Sequence, residues 1–265
     1  MSKAWFEAKC AVRFGALPSH ARPIHELFTG AKSSSAAAEQ LASSNLKHHD
    51  DTDWRLWQLI FDAAEELPQH HSAIIDLVLA LQTEYDTQRP GDAGLKAWMK
   101  SFGGNYRDRL DLLWAWRGGG WKKEPAPIVS DPRESLANFV VWSACLLESA
   151  FRQRFQMKAL AWCDVAKVLE AGSESCGGEL VWLDVAVVAQ WILHAPSLRT
   201  AEGEESDRGA EFLHAQKGLW KGGAGFTLER WNFWKSRFND CVQAGILPDE
   251  TAEAVKAAVT KMNQS

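Results

Sequence analysis

At 265 residues, 46% of them hydrophobic and 24% charged, the chain has the composition of a globular protein with one sizeable core. Its formal net charge of -5 argues against a phosphate backbone as main partner, because nucleic-acid binding rests on a basic surface and counterion release. Five cysteines, Cys10, Cys145, Cys163, Cys176 and Cys241, stand far apart without a C-x-x-C and read as free thiols in a reducing compartment, the cytoplasm by default.

Residues 1–32 alternate Pro, Gly and short apolar pieces and predict an arm packed onto the body. The segment lacks the apolar run of a secretory signal; being poor in acids and carrying Lys3, Lys9, Arg13 and Arg22, it has an organellar presequence as its alternative reading. Residues 33–121 predict an N-terminal helical layer. Ser33 to Ser35 offer caps for the helix former AAAEQLASSNL. Trp54, Trp57, Ile60 or Phe61, Ala64 and Leu67 then recur at helical spacing, Pro68 punctuates, and Ile74, Leu77 or Val78, Leu81 and Tyr85 repeat the period. The short connection at Pro68 to His71 predicts an antiparallel hairpin. Glycines at 91, 94, 103, 104 and 118–120 break the following stretch into shorter pieces anchored by Trp98, Trp114, Trp116 and Trp121.

KKEPAPIVSD, residues 122–131, reads as a linker to a C-terminal helical layer at 132–265, with the whole forming one globular domain. Asp131-Pro132-Arg133-Glu134 has the N-cap, first-turn proline and following acid of a helix start. Another helix is expected from Lys158 to Glu170, and an apolar one from Glu179 to His194 that stops near Pro196. The Leu180 to Leu193 run is interrupted by Asp184 and Gln190 and falls short of the ~20 residues of a bilayer span, so no membrane partner is expected. The acidic AEGEESDRGAE at 201–211 predicts a loop, and Gly222-Gly223-Ala224-Gly225 a turn. Thr227 caps the next helix, which Gly245 and Pro248 end, and a last helix runs from Asp249 to Met262. With no period-2 strand set, the fold expected is all-α, an irregular bundle of about eight to ten helices around a Trp-rich core.

The segments LANFVVWSACLLE, LDVAVVAQWILHA and GLWKGGAGFTLERWNFWKSRF, in that order, resemble a large family of fungal proteins of unknown function. The last carries the resemblance furthest, through Trp220, Gly222, Gly225, Phe226, Arg230, Trp231, Phe233 and Trp234. The likeness covers the second half of the chain strongly and the stretch from Asp50 to Tyr85 weakly. It implies a helical fungal intracellular protein; it implies no activity and carries over no catalytic residue.

In FTLERWNFWKSRF, residues 226–238, Trp231, Trp234, Phe238 and Val242 share one helical stripe, and Arg230, Phe233 and Arg237 a second about 100° round. The first stripe is core; the second stacks on aromatics, pairs with carboxylates or holds an anionic ligand. Fourteen Trp against two Tyr make most indoles core, at ~150–250 Å² buried apiece. Each buried indole N–H wants an acceptor, and many flat rings among helices leave an aromatic-walled cavity, which is the physical route to a ligand.

Polar residues on apolar helices are the candidates for such a site. Asp184, flanked by Leu183 and Val185, needs an Arg, an indole N–H or a ligand. It shares a face with Trp191, while His194 closes the helix where a cation suits the dipole. Asn138 and Trp142 align on the preceding helix, where Asn138 suits a neighbouring backbone and Glu148 suits Arg152. The Arg107, Asp108, Arg109 and Asp111 cluster reads as a solvated or inter-helix ion-pair network. His48-His49-Asp50-Asp51 and His70-His71 have the wrong spacing for a metal site, KGGAGF lacks P-loop spacing, and no nucleophile-elbow or dinucleotide fingerprint occurs.

The function expected is binding of a small hydrophobic or aromatic molecule, as a cofactor-independent cyclase, isomerase or carrier in fungal specialised metabolism. Asp184 or His194 would move a proton, Arg230 would hold an anionic group, and Trp191, Trp234, Asn138 and Trp142 would contact the substrate. No metal or cofactor is implied. The alternative is a non-catalytic helical interaction module with a second copy or another protein as partner.

Overall fold

The computed structural model describes residues 3–12, 15–45, 53–88, 90–116, 131–149, 154–170, 180–199 and 218–264. The His48 to Asp51 cluster, the linker up to residue 130 and the acidic 201–211 stretch lie outside the described residues. Every regular element among the described residues is helical. The chain divides into two compact units, Met1–Trp142 and Ser143–Ser265.

The first thirty residues, expected as an arm, fold as two helices, α1 (Lys3–Ala11) and α2 (Pro18–Phe28). Trp5, Phe6 and Lys9 form the buried face of α1, and Pro18 suits the first turn of α2, where its missing N–H has no helical partner to lose. Ser33 caps α3 (Ser34–Asn45) by accepting the Ala36 N–H at 3.2 Å. Ala37, Ala38, Leu41 and Ala42 of α3 are completely buried. The small alanines among them let α5 (His71–Gln88) approach closely, so α5 lies chiefly along α3. Its contact back onto α4 (Asp53–Glu66), the partner expected from the short Pro68–His70 turn, is limited.

A ladder of rings runs through this unit. Trp98 ends α6 (Asp92–Trp98), Phe102 lies in the π-helical turn Met99–Gly103, and Tyr106 lies in α7 (Gly104–Trp116). They stack in sequence at centroid distances of 5.5 and 5.5 Å with interplanar angles of 5° and 14°. Side chains four apart on an α-helix drift by about 40°, and the wider turn removes part of that drift, which keeps the rings in register. The ladder continues onto α8 (Pro132–Glu148) through Phe139, 5.5 Å from Tyr106, and Trp142, 5.4 Å from Phe139. Asp131 starts α8 as expected, its Oδ1 accepting the Arg133 N–H at 2.9 Å.

In the C-terminal unit, α10 (Leu180–His194) packs on α9 (Arg154–Leu169) and α12 (Asp249–Gln264), and α11 (Leu228–Gln243) packs on the same two helices. Lys261 donates to the Leu193 carbonyl at 2.7 Å and so satisfies one open acceptor at the end of α10. Glu148 Oε1 accepts the Ser197 N–H at 2.9 Å and starts the 3₁₀ turn Pro196–Arg199. Its expected partner Arg152 lies outside the described residues. No described helix is long and apolar enough to cross a membrane. Cys10 and Cys145 are free thiols.

Candidate functional site

Thr227 fixes the start of α11: extended at φ -136 and ψ 157, it accepts the Arg230 N–H on Oγ1 at 3.1 Å. Arg230 is thereby turned inward and is completely buried. Its Nε and Nη2 donate to Oε1 and Oε2 of Glu170 at 2.6 and 2.7 Å, a two-pronged match of guanidinium and carboxylate. Its Nη1 donates to the Gly225 carbonyl at 2.9 Å, and the guanidinium lies 5.6 Å from the Trp220 ring centroid. Glu170 Oε1 also accepts from Trp234 Nε1 at 2.7 Å, and its backbone carbonyl accepts the Leu219 N–H at 2.8 Å. One acid at the end of α9 thus organises both the turn at Gly218 and the first turns of α11. The anion that Arg230 holds is the protein's own.

The turn itself admits little change. A Cβ on Gly218 would lie 2.2 Å from the Glu170 carbonyl oxygen, and one on Gly222 2.2 Å from the Trp220 ring. Gly225, with φ at 84°, occupies the left-handed region open to glycine. Trp220 closes the turn by donating to the Gly223 carbonyl at 3.0 Å.

Beyond Arg230 lies an aromatic group. Phe226 stacks on Trp162 at 4.6 Å and 8° and meets Trp231 at 6.0 Å and Trp234 at 5.9 Å. Trp162 donates to the Leu198 carbonyl at 2.9 Å. Trp231, 3% exposed, has no hydrogen-bond acceptor for its Nε1–H among the described residues.

The remaining candidates are distributed. Trp191 is completely buried and donates to Asp164 Oδ2 at 3.2 Å. Asp184 is half-buried on α10 and engaged by its surroundings. His194 is exposed at the end of α10; partial burial of its ring and the nearby Lys261 ammonium hold its pKa below the ordinary imidazole value. Asn138 and Trp142 belong to the N-terminal unit. Asn138 donates to the Glu65 carbonyl at 2.8 Å, the backbone role its position suggested. Trp142 is completely buried beside Phe61 and Phe139, and its Nε1–H has no acceptor among the described residues. Among the described residues, Arg230 and Trp234 are brought together by their shared partner Glu170.

A second polar centre lies in the N-terminal unit. Lys9 meets Asp62 at 2.9 Å and Glu66 at 2.7 Å, Arg109 pairs with Asp62 and Glu65, and Trp5 Nε1 donates to Glu66 Oε2 at 2.9 Å. All six residues are buried. Burial opposes the charge on Arg109, but Glu65 and Asp62 outweigh it and raise its pKa. Of the charged run at 107–111, Arg109 alone faces inward, while Arg107, Asp108 and Asp111 are exposed. Sequence reasoning singled out neither Glu170 nor Asp62, Glu65, Glu66 and Lys9. The signal available was an acid at helical spacing from buried apolar residues, as Asp62 is from Leu59 and Glu66 from Ala63.

Neither the curated proteins nor the solved structures yield a match to the chain. The stretch 57–238, which contains Glu170, the glycine turn, Arg230 and Trp234, matches the profile of a family described as protein of unknown function (DUF3632), and the chain belongs to that family.

Proposed function

We propose that this protein binds a small hydrophobic or aromatic molecule among the indoles of its C-terminal unit and acts as a carrier or a cofactor-independent cyclase or isomerase. The observation that supports this reading best is the Nε1–H of Trp231, which has no acceptor among the described residues. In that unit Trp162, Trp191, Trp220 and Trp234 each donate to a protein oxygen, while Trp142 of the N-terminal unit, like Trp231, has no acceptor among the described residues. A buried donor left without an acceptor costs about 1–3 kcal/mol, and a guest bearing an acceptor would remove that cost. In this reading Arg230 and Trp234 support the site through Glu170, and Trp191 forms part of the aromatic surroundings. Asp184 and His194 lie ten positions apart on α10, about 15 Å along the axis, so a given reacting atom is served by one of them. The resemblance in the sequence favours fungal specialised metabolism in the cytoplasm as the setting.

Native mass spectrometry of the protein purified gently from its own source tests the reading. A retained small molecule, lost on denaturation, is the expected result; a bare chain under conditions that preserve folding overturns it.

A second reading, a non-catalytic interaction module, draws support from Leu219, Leu228 and Ile246, exposed by 39%, 57% and 60%. Leu228 and Ile246 bracket α11 and are separated by roughly 25 Å along its axis, so they belong to opposite ends of that helix. Concentration-dependent self-association in analytical ultracentrifugation, abolished by Leu228→Glu, would favour it over the carrier.

A further inference from the structure

Phe226 has the placement of an occupant. Its ring is parallel to Trp162 at 4.6 Å and is flanked by Trp231 at 72° and Trp234 at 50°, so three indoles from α9 and α11 surround it. Those indoles ride on helices, and two are anchored further by hydrogen bonds, Trp162 to the Leu198 carbonyl and Trp234 to Glu170. Phe226 instead sits in the irregular Gly218 to Thr227 segment. The observed ties on its backbone neighbours are the Arg230 bond to the Gly225 carbonyl, the Thr227 cap and the Trp231 N–H bond to the Thr227 carbonyl at 3.0 Å. The walls ride on helices, and the ring between them is carried by the segment that precedes α11.

We infer that the Trp162, Trp231 and Trp234 indoles form a ligand cage whose guest is a neutral, planar aromatic molecule with a hydrogen-bond acceptor, taking the place of the Phe226 ring. Planarity follows from the parallel stack on Trp162, which a flat guest reproduces ring for ring. Neutrality follows from Arg230 and Glu170, which are matched to each other and leave the cage no net charge from that pair. The acceptor requirement follows from Trp231, whose Nε1–H has no acceptor among the described residues and to which a phenyl face offers at most a weak π contact. The guest reproduces the stack on Trp162 and adds a hydrogen bond that Phe226 lacks.

The inference rests on the small-molecule reading above, and the test separates the two. Quinoline, a planar ring with an acceptor nitrogen, and naphthalene, its counterpart without one, are titrated into the full chain and into Phe226→Ala. Phe226→Ala is expected to bind both, quinoline about tenfold tighter, as one added hydrogen bond implies. Adding Trp231→Phe should erase that preference. In the unaltered chain, quinoline should shift the Trp231 indole N–H resonance downfield, which keeps the test decisive where Phe226→Ala fails to fold. A folded Phe226→Ala that binds neither compound, equal affinity for the two, or a Trp231 resonance unmoved at saturating quinoline each overturns the cage. A molecule retained in native mass spectrometry beside an unmoved Trp231 resonance places the ligand elsewhere and leaves binding standing. A moved resonance with no retained molecule does the reverse: the cage stands and the natural-carrier reading falls.

Discussion

In the N-terminal unit two cations, Lys9 and Arg109, reach three carboxylates, Asp62, Glu65 and Glu66, whereas in the C-terminal unit Arg230 is matched prong for prong to Glu170. Both centres add an indole, Trp5 on Glu66 and Trp234 on Glu170. Both lie out of water, where charges are costly unless paired and hydrogen-bonded. They differ in how the loss of one member is shared. Removing Lys9 leaves Asp62 with Arg109 and Glu66 with Trp5. Removing Glu170 takes from Arg230 its carboxylate and from Trp234 its acceptor at once. A shared network spreads damage; a matched pair concentrates it.

The largest effect should therefore follow Glu170→Ala. Loss of one partner from a buried pair costs about 3–5 kcal/mol, and urea unfolding followed by circular dichroism reads it. Glu170→Leu combined with Arg230→Met should recover part of that loss, because no charge is then left buried alone, while Trp234 and the Gly225 carbonyl still lack their partners. A double variant as unstable as the single would break the comparison. Lys9→Met should cost less, about 1–3 kcal/mol, since its carboxylates keep other donors. A loss exceeding that of Glu170→Ala would show that the N-terminal centre depends on one cation after all.

The reason these centres escaped the sequence lies in what periodicity can see. Trp57, Phe61, Trp231, Trp234 and Phe238 were legible as core because apolar residues at helical spacing have one place to go, and all five are buried. The caps at Ser33, Asp131 and Thr227 were legible because capping is local chemistry. Glu170 and Glu66 are different. An acid reads as surface until its cation is known, and these cations lie 60 and 57 positions away in the chain. Arg230 raised the question of an anion, but nothing local distinguished a ligand from Glu170. The helices in the first thirty residues were missed for a related reason. Pro18 and Gly15 suggested irregularity, while the buried face of α1 includes Lys9, a residue that takes its meaning from Asp62 and Glu66.

Closer to the turn, steric fit replaces charge. Gly222→Ala sets a Cβ against the Trp220 ring, which must move and strain its bond to Gly223; about 1–3 kcal/mol is expected. Gly223→Ala, where nothing lies within 4 Å of the added carbon, is the matched control and should change stability by about 0.5 kcal/mol or less. Equal losses at the two positions would show that backbone freedom, and not the Trp220 ring, sets the requirement for glycine.

The smallest effect belongs to the end of α10, where two basic residues meet one set of open carbonyls. A protonated imidazole is ordinarily favoured at a helix C-terminus, which would raise the pKa of His194. Lys261 has taken that role by donating to Leu193 at 2.7 Å, and partial burial of the ring, aided by the Lys261 charge, lowers the pKa of His194 instead. The unfolded chain then takes up this proton more readily than the folded one. The linked stability is highest above the ordinary imidazole pKa, falls as the pH drops through it, and levels off below the folded value. An NMR titration of the His194 Cε1–H should give a pKa below 6.5. Lys261→Met should bring it upward, because the competing charge is gone and the carbonyls of α10 are left for the imidazolium. An unchanged pKa in that variant would assign the shift to burial alone and remove Lys261 from the account.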